Sequence, residues 1–332
     1  MNDAPEAAPG SAPATHLFWN AEALWQQLDP HLPGISIEVV ARVESTNTLL
    51  LERARLGGGR HDAPITTPGQ LEALRTHGRE PRDGGGPYGR RSDDTHPCML
   101  VAEHQLAGRG RQGRGWLSSP GASLTFSLGL PMAPRDWWGL SLAAGVALAD
   151  ALDPPEPGRA PRIGLKWPND LWLNDGPGRW RKLGGVLIET VAVGGQRMVV
   201  VGVGLNITPQ PGVGNAGDFT HGYGSVNEID AAATAPAVLH RVALPLVRAL
   251  GQFEREGFAG FAQAYALRDL LRGQHVSVQD VLRGQSLAEG VCEGLAPNGA
   301  LLVRDEKGVL MPVTSGEISV RLEATPADSG PA

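Results

Sequence analysis

Residues Gly108-Arg109-Gly110-Arg111-Gln112-Gly113-Arg114 hold the strongest chemical signal in this chain. Three arginines stand among three glycines in a protein of net charge -6. No Asp or Glu falls between Glu103 and Asp136, so nothing close in sequence neutralises them. Glycine lets the backbone approach a ligand closely, and the guanidinium fork grips phosphate or carboxylate at two points. The pattern therefore predicts a site for a phosphate- or carboxylate-bearing ligand. A dinucleotide fingerprint would need a helix to follow the glycines. Leu124, Phe126, Leu128 and Leu130 alternate instead as in a strand, so that reading fails. An arginine-glycine RNA tail would be long and repeated, whereas this run is a single unit between apolar segments. A solvated turn is the plain alternative, and the neighbouring motifs must decide.

Three further clusters carry polar groups at strand ends. Lys166-Trp167-Pro168-Asn169-Asp170 sets a cation and a carboxylate around a turn. Lys182-Leu183-Gly184-Gly185-Val186-Leu187-Ile188-Glu189 puts a lysine ahead of a glycine pair and a buried strand. Gly202-Val203-Gly204-Leu205-Asn206 allows close backbone approach, or marks a strand bulge. Taken singly, each reads as well as a structural feature.

The elements that must position these residues follow from periodicity. A short helix is predicted over 16–28 and a strand over 35–43. Ser45-Thr46-Asn47 then caps a helix carrying Leu49, Leu50, Leu51 and Ala54. Residues 57–97 are rich in Gly, Arg, Pro and Asp and read as a long insertion. A strand begins at Cys98, and a helix spans Leu140–Leu152. Strands are predicted at Ile163–Lys166, Asp170–Leu173, Leu183–Val191 and Met198–Val203, and helices over 235–256 and 258–271. From about Gln274 the texture becomes five short strands separated by turns, a β module of marginal size that should dock on the main domain.

Composition narrows the function classes. A hydrophobic fraction of 41% supports a large core, and 332 residues suffice for about two domains. A pI near 5.9 argues against general nucleic-acid binding. There is no apolar run of membrane-spanning length and no secretory leader pattern, which predicts a cytoplasmic protein. Cys98 and Cys292 read as buried free thiols. The histidines show no metal-ligand spacing.

In their order, the motifs resemble those of the biotin protein ligase family: Ser45-Thr46-Asn47, Gln105 with the arginine loop and Trp116, Lys166–Asp170, Lys182–Glu189 and Gly202–Asn206. The resemblance covers about Ile35 to Leu322 apart from the insertions. It implies an α+β fold: a mixed β-sheet with helices packed on it, like class II aminoacyl-tRNA synthetases, plus a small C-terminal SH3-like β-barrel. The implied division is a tail and short helix over 1–34 and a catalytic domain over 35–272 with insertion 57–97. An SH3-like domain over 273–323 and a tail over 324–332 follow.

The activity implied is ATP-dependent formation of biotinyl-5′-AMP, then transfer of biotin to one lysine of biotin carboxyl carrier protein. Lys182, Arg109 and Asp170 take the catalytic positions. Biotin falls to Ser45, Thr46, Asn47, Gln105, Gly108, Arg109, Gly110, Arg111, Lys182 and Gly185. The adenylate falls to Arg111, Arg114, Trp116, Lys166, Asn169, Lys182 and Asn206. ATP with Mg²⁺ is implied, the metal ligands being unknown, and pairing through sheet edges makes a homodimer one candidate assembly. Only about 35 residues precede the catalytic region, too few for the DNA-binding domain some members carry, so no DNA partner is expected. Two alternatives stay open: a lipoate or octanoate ligase of the same fold, and a non-enzymatic nucleotide- or RNA-binding module.

Overall fold

The computed structural model describes residues 17–58, 95–176, 179–210, 222–280, 285–314 and 318–322. Most of insertion 57–97, both predicted tails and most of the Gly-rich stretch 213–226 lie outside those residues.

Seven strands make one mixed sheet: β1 (Ser36–Val43), β2 (Cys98–Gln105), β5 (Ser123–Pro131), β6 (Ile163–Lys166), β7 (Asp170–Asn174), β8 (Trp180–Val193) and β9 (Gln196–Asn206). Their order is β1-β2-β5-β9-β8-β7-β6. Strands β1 and β2 run parallel, with helix α2 (Thr46–Gly58) between them in the chain; the other neighbours are antiparallel. The arginine run is a separate ribbon of β3 (Gly108–Arg109) and β4 (Gly115–Trp116).

Alternation along the central strands assigns the two faces. Leu124, Phe126 and Leu128 of β5 and Val199, Val201 and Val203 of β9 join the main core. There they meet helices α3 (Leu140–Leu152) and α4 (Ala235–Glu256), with Leu24 and Leu28 of α1 (Ala21–Leu28). The opposite face takes α2, whose Leu50 and Leu51 pack with Leu100, Ala102 and Val200. That second face carries Thr125, Ser127 and Gly129 of β5 and Gly202 and Gly204 of β9. It is the face on which the candidate site residues gather.

The predicted helix over 258–271 is corrected. Only a short 3₁₀ turn, Phe258–Phe261, and helix α5 (Ala262–Ala266) form. Past them the backbone joins the edge of β6: Leu165 N donates to Arg268 O at 2.7 Å and Leu270 N to Leu165 O at 3.1 Å. The Arg268 guanidinium, buried with Asp153 and paired to Asp150, fixes this departure. The first helix is also shorter than predicted, beginning at Ala21.

Strands β10 (His275–Asp280), β11 (Gln285–Leu295), β12 (Leu301–Arg304), β13 (Leu310–Val313) and β14 (Ile318–Leu322) form an antiparallel sheet in the order β13-β12-β11-β10-β14. This sheet docks as expected. Val276, Val278, Cys292, Leu301 and Val303 share one continuous core with the main sheet, and Trp167 Nε1 donates across the join to Gly299 O at 3.1 Å. Cys98 and Cys292 are both buried and free. Among the described residues, no helix is long and apolar enough to cross a membrane.

Candidate active site

The site begins where β1 turns into α2. Ser45 is the N-cap: its Oγ accepts from Thr48 N at 3.4 Å, satisfying one of the helix's orphan donors. Ser45, Thr46 and Asn47 are all buried, and buried polar groups need partners. Gln105, at the end of β2, supplies one. Its Oε1 accepts from Thr46 N at 2.7 Å and lies 3.1 Å from Thr46 Oγ1. Ser118 Oγ in turn accepts from Gln105 N at 2.8 Å. Ser127 Oγ lies 2.6 Å from both Thr46 Oγ1 and Asn47 Oδ1.

Glycines form the floor because side chains from elsewhere occupy their space. A Cβ on Gly202 would stand 2.2 Å from Asn47 Oδ1, and one on Gly204 would stand 2.6 Å from the Trp116 ring. A Cβ on Gly185 would come within 3.0 Å of Asp170 Oδ1, and one on Gly108 within 2.4 Å of Trp116 O. These close approaches are what the glycine motifs encode.

Cations line this floor. The ribbon folds back through Gln112 and Gly113, both at positive φ, and Gly110 N closes it on Arg114 O at 2.7 Å. Lys182 Nζ pairs with Asp170 Oδ1 at 2.8 Å. Burial pushes the Arg111 guanidinium below its ordinary pKa, the Asp170 carboxylate works against that fall, and Arg114 adds to it. The net direction is downward, so Arg111 is a desolvated cation that an incoming anion would stabilise. Lys166, opposite Asp170 in the β6–β7 register, lies 4.7 Å from the centre of the Trp172 ring.

Other residues picked from the motifs are held by backbone. Asn169 Nδ2 donates to Val186 O at 2.8 Å and so ties the Lys166–Asp170 turn to β8. Asn206 Nδ2 donates to Gly224 O at 3.2 Å and Lys182 O at 3.4 Å. Trp116 packs on Gly204, and its buried indole N–H meets no acceptor among the described residues. Arg114 is exposed.

Sequence reasoning missed three residues here: Glu189, Thr48 and Ser127. Arg109 is neutralised from a distance: its Nη2 donates to Glu189 Oε1 at 2.8 Å and its Nη1 to Thr48 Oγ1 at 3.0 Å. Glu189 stands 80 residues further along the chain. Ser127 had a signal, since the small residues Thr125, Ser127 and Gly129 interleave with the core leucines of β5.

A mixed sheet bearing a cation-lined glycine floor beside a buried hydroxyl-and-amide turn brings together groups that can hold an anion with a polar head. The sequence profile of the Biotin/lipoate A/B protein ligase family matches residues 91–206. That of the Biotin protein ligase C terminal domain matches 272–321. The bifunctional ligase/repressor BirA of Escherichia coli is 31% identical over 317 residues, covering 94% of this chain and 81% of that protein. The biotin–[acetyl-CoA-carboxylase] ligase of Mycobacterium tuberculosis is 31% identical over 308 residues, 89% of each chain. A solved structure of the Aquifex aeolicus biotin protein ligase in complex with biotin and ATP covers 87% of this chain and 99% of its own. Its TM-score is 0.59 at 23% identity, which is a likeness of fold. The chain belongs to the biotin protein ligase family.

Proposed function

We propose that the protein is an ATP-dependent biotin protein ligase. Biotin's carboxylate attacks the α-phosphate of ATP, giving biotinyl-5′-AMP and releasing pyrophosphate. A lysine amine of biotin carboxyl carrier protein then attacks the acyl carbon, forming an amide, and AMP leaves. The first step brings two anions together, so cations must offset the developing charge. Lys182, Arg109 and Arg111 supply them, with Arg114 at the loop edge and Lys166 across from Asp170. Asp170 orients Lys182 and is the nearby base for the entering amine. Ser45, Thr46, Asn47 and Gln105 read biotin's ureido head, while the Gly108, Gly110 and Gly185 backbone lets it come close. Trp116, Asn169 and Asn206 border the adenylate.

The observation that carries this reading is the Asp170 carboxylate, which pairs with Lys182 and acts on the desolvated Arg111, one floor away from the Thr46–Gln105 turn. Such a cation pair is complementary to a carboxylate joined to a phosphate. Among the described residues no group of three His, Cys, Asp or Glu could hold a metal. Mg²⁺ enters this reading as an ion carried by the ATP phosphates, and no step is assigned to it.

We also read the main sheet as class II synthetase-like and the C-terminal sheet as an SH3-like barrel. The last strand, β14, lies beside the first, β10, at one end of a meander, which supports the barrel reading. Incubation with labelled biotin, ATP and a carrier domain tests the function. Label should reach the carrier lysine only with ATP, and pyrophosphate should appear. Transfer of lipoate in place of biotin would overturn the substrate, and nucleotide binding without pyrophosphate release would overturn the enzyme.

A further inference from the structure

Glu189 closes the Lys182–Glu189 motif, yet the two-step reaction gives it no role. Strand β8 pairs Gly185, Leu187 and Glu189 with Gly204, Gly202 and Val200 of β9. Directly paired residues share a face, so Glu189 rises from the same face as the glycine floor. Each of its oxygens serves a different part of the site. Oε1 accepts from Arg109 Nη2 at 2.8 Å, and Oε2 accepts from Asn47 Nδ2 at 3.0 Å. One carboxylate thus joins the arginine loop to the capped turn at the start of α2.

We propose that Glu189 is a positioning residue that seats the arginine loop and fixes the hydrogen-bond polarity of the Thr46–Asn47 turn. The inference rests on the ligase reading for what those two parts bind. An ionised carboxylate only accepts, so the Asn47 amide must turn its NH₂ to Glu189 and its oxygen to Ser127. Ser127 has one proton and oxygens of Thr46 and Asn47 each at 2.6 Å. Asn47 Oδ1 can only accept and takes that proton; the single Thr46 proton is then shared between Ser127 Oγ at 2.6 Å and Gln105 Oε1 at 3.1 Å. The lone pairs of Thr46 Oγ1 are left for a ligand N–H. Gln105 Oε1 is already committed to Thr46 N at 2.7 Å, so its NH₂ is the group left to donate. At the other end, Arg109 spends two of its five donors on Glu189 and Thr48. The rest are held ready for an anion. Glu189 therefore acts through Arg109 and Asn47 and need not touch substrate.

Replacing the carboxylate by an amide breaks this arrangement while keeping its shape. In E189Q the NH₂ must face either the Arg109 guanidinium or the Asn47 NH₂, both donors. E189D keeps the acceptor character with a shorter reach. The experiment is limited trypsin digestion of the protein without substrate, following cuts after Arg111 and Arg114, beside pyrophosphate exchange at varied biotin. E189Q should speed those two cuts by about fivefold and raise the KM for biotin by about tenfold, with kcat within about twofold, the loss of one charge-assisted contact. E189D should recover most of the loop protection. Wild-type cutting and wild-type KM in E189Q would overturn the proposal. So would equal damage in E189D, or faster cutting at every tryptic site with a lowered melting temperature, which would mark a merely structural residue. Digestion needs no substrate, so it tests the seating of the loop even if the wild-type protein forms no biotinyl-adenylate, the outcome that would sink the ligase reading alone.

Discussion

Gly202→Ala adds one methyl group at the centre of the floor. Its Cβ would stand 2.2 Å from Asn47 Oδ1, 2.9 Å from Cγ and 3.1 Å from Nδ2, where ordinary contact is 3.4–4 Å. The backbone at Gly202 is not in the left-handed region, so alanine is conformationally acceptable and the clash is the whole effect. Strand β9 cannot retreat, being paired to β5 on one side and β8 on the other. Asn47 must therefore move by roughly 1 Å to restore van der Waals contact. That shift would carry its oxygen out of reach of Ser127, now at 2.6 Å, and its NH₂ away from Glu189, now at 3.0 Å. Two lost hydrogen bonds at about 1 kcal/mol each, with about 1 kcal/mol of overpacking strain, give about 3 kcal/mol. At about 2–4 °C per kcal/mol the melting temperature should fall by roughly 6–12 °C. The KM for biotin should rise with it. The assay is a thermal melt of G202A, N47A and the double variant, with pyrophosphate exchange on each. With the Asn47 side chain gone the methyl group has room, so G202A should cost little more in the N47A background. A full additional loss in the double variant, or a melt of G202A within about 1 °C of wild type, would refute the packing argument.

Lys182→Ala removes the cation paired to Asp170 and should slow adenylate formation by about 10²–10³-fold, as loss of a preorganised charge does; exchange at the wild-type rate would remove Lys182 from the mechanism. Asp153 lies below its ordinary pKa of 3.8: burial alone would raise it, but the hydrogen bonds from Ile163 N, Arg268, Arg162 N and Arg159 together outweigh that. A carboxyl depressed on folding stabilises above the unfolded pKa, and that stability is lost as pH falls through the folded value. Acid titration of stability should therefore show a loss beginning near pH 4 that Asp153→Asn lacks, the variant being less stable at neutral pH. Burial pushes the Cys292 thiol up to about 12, and Cys98 is also buried. An aromatic disulfide reagent at neutral pH should find neither thiol in the native protein and both after denaturation, and fast native labelling would contradict the packing around them.

Much of this was legible in the linear chain, because local physics wrote it there. Period-2 alternation in β5 and β9 records a strand with one face in the core. Ser45 before Thr46-Asn47-Thr48 records a helix start. Helices Leu140–Leu152 and Ala235–Glu256 fall where their apolar spacing puts them, and strand Ile318–Leu322 does the same. The site motifs were readable because glycines and cations cluster within a few residues of one another.

What the chain could not display was pairing across distance. The arginine loop looked unneutralised, since no acid lies near it in sequence, yet β8 brings Glu189 to Arg109. Residues 258–271 kept a helical composition, but the open edge of β6 and the buried Arg268 pairs took their backbone instead. Nor could spacing reveal why the floor is glycine, because the crowding comes from Asn47 and Trp116 on other elements. Sequence by itself thus determined the strand faces, the capped turn and the inventory of cations. The tertiary structure alone decided which acid meets which cation, because charge and steric contacts depend on distance in space, and distant segments enter it only when the sheet assembles.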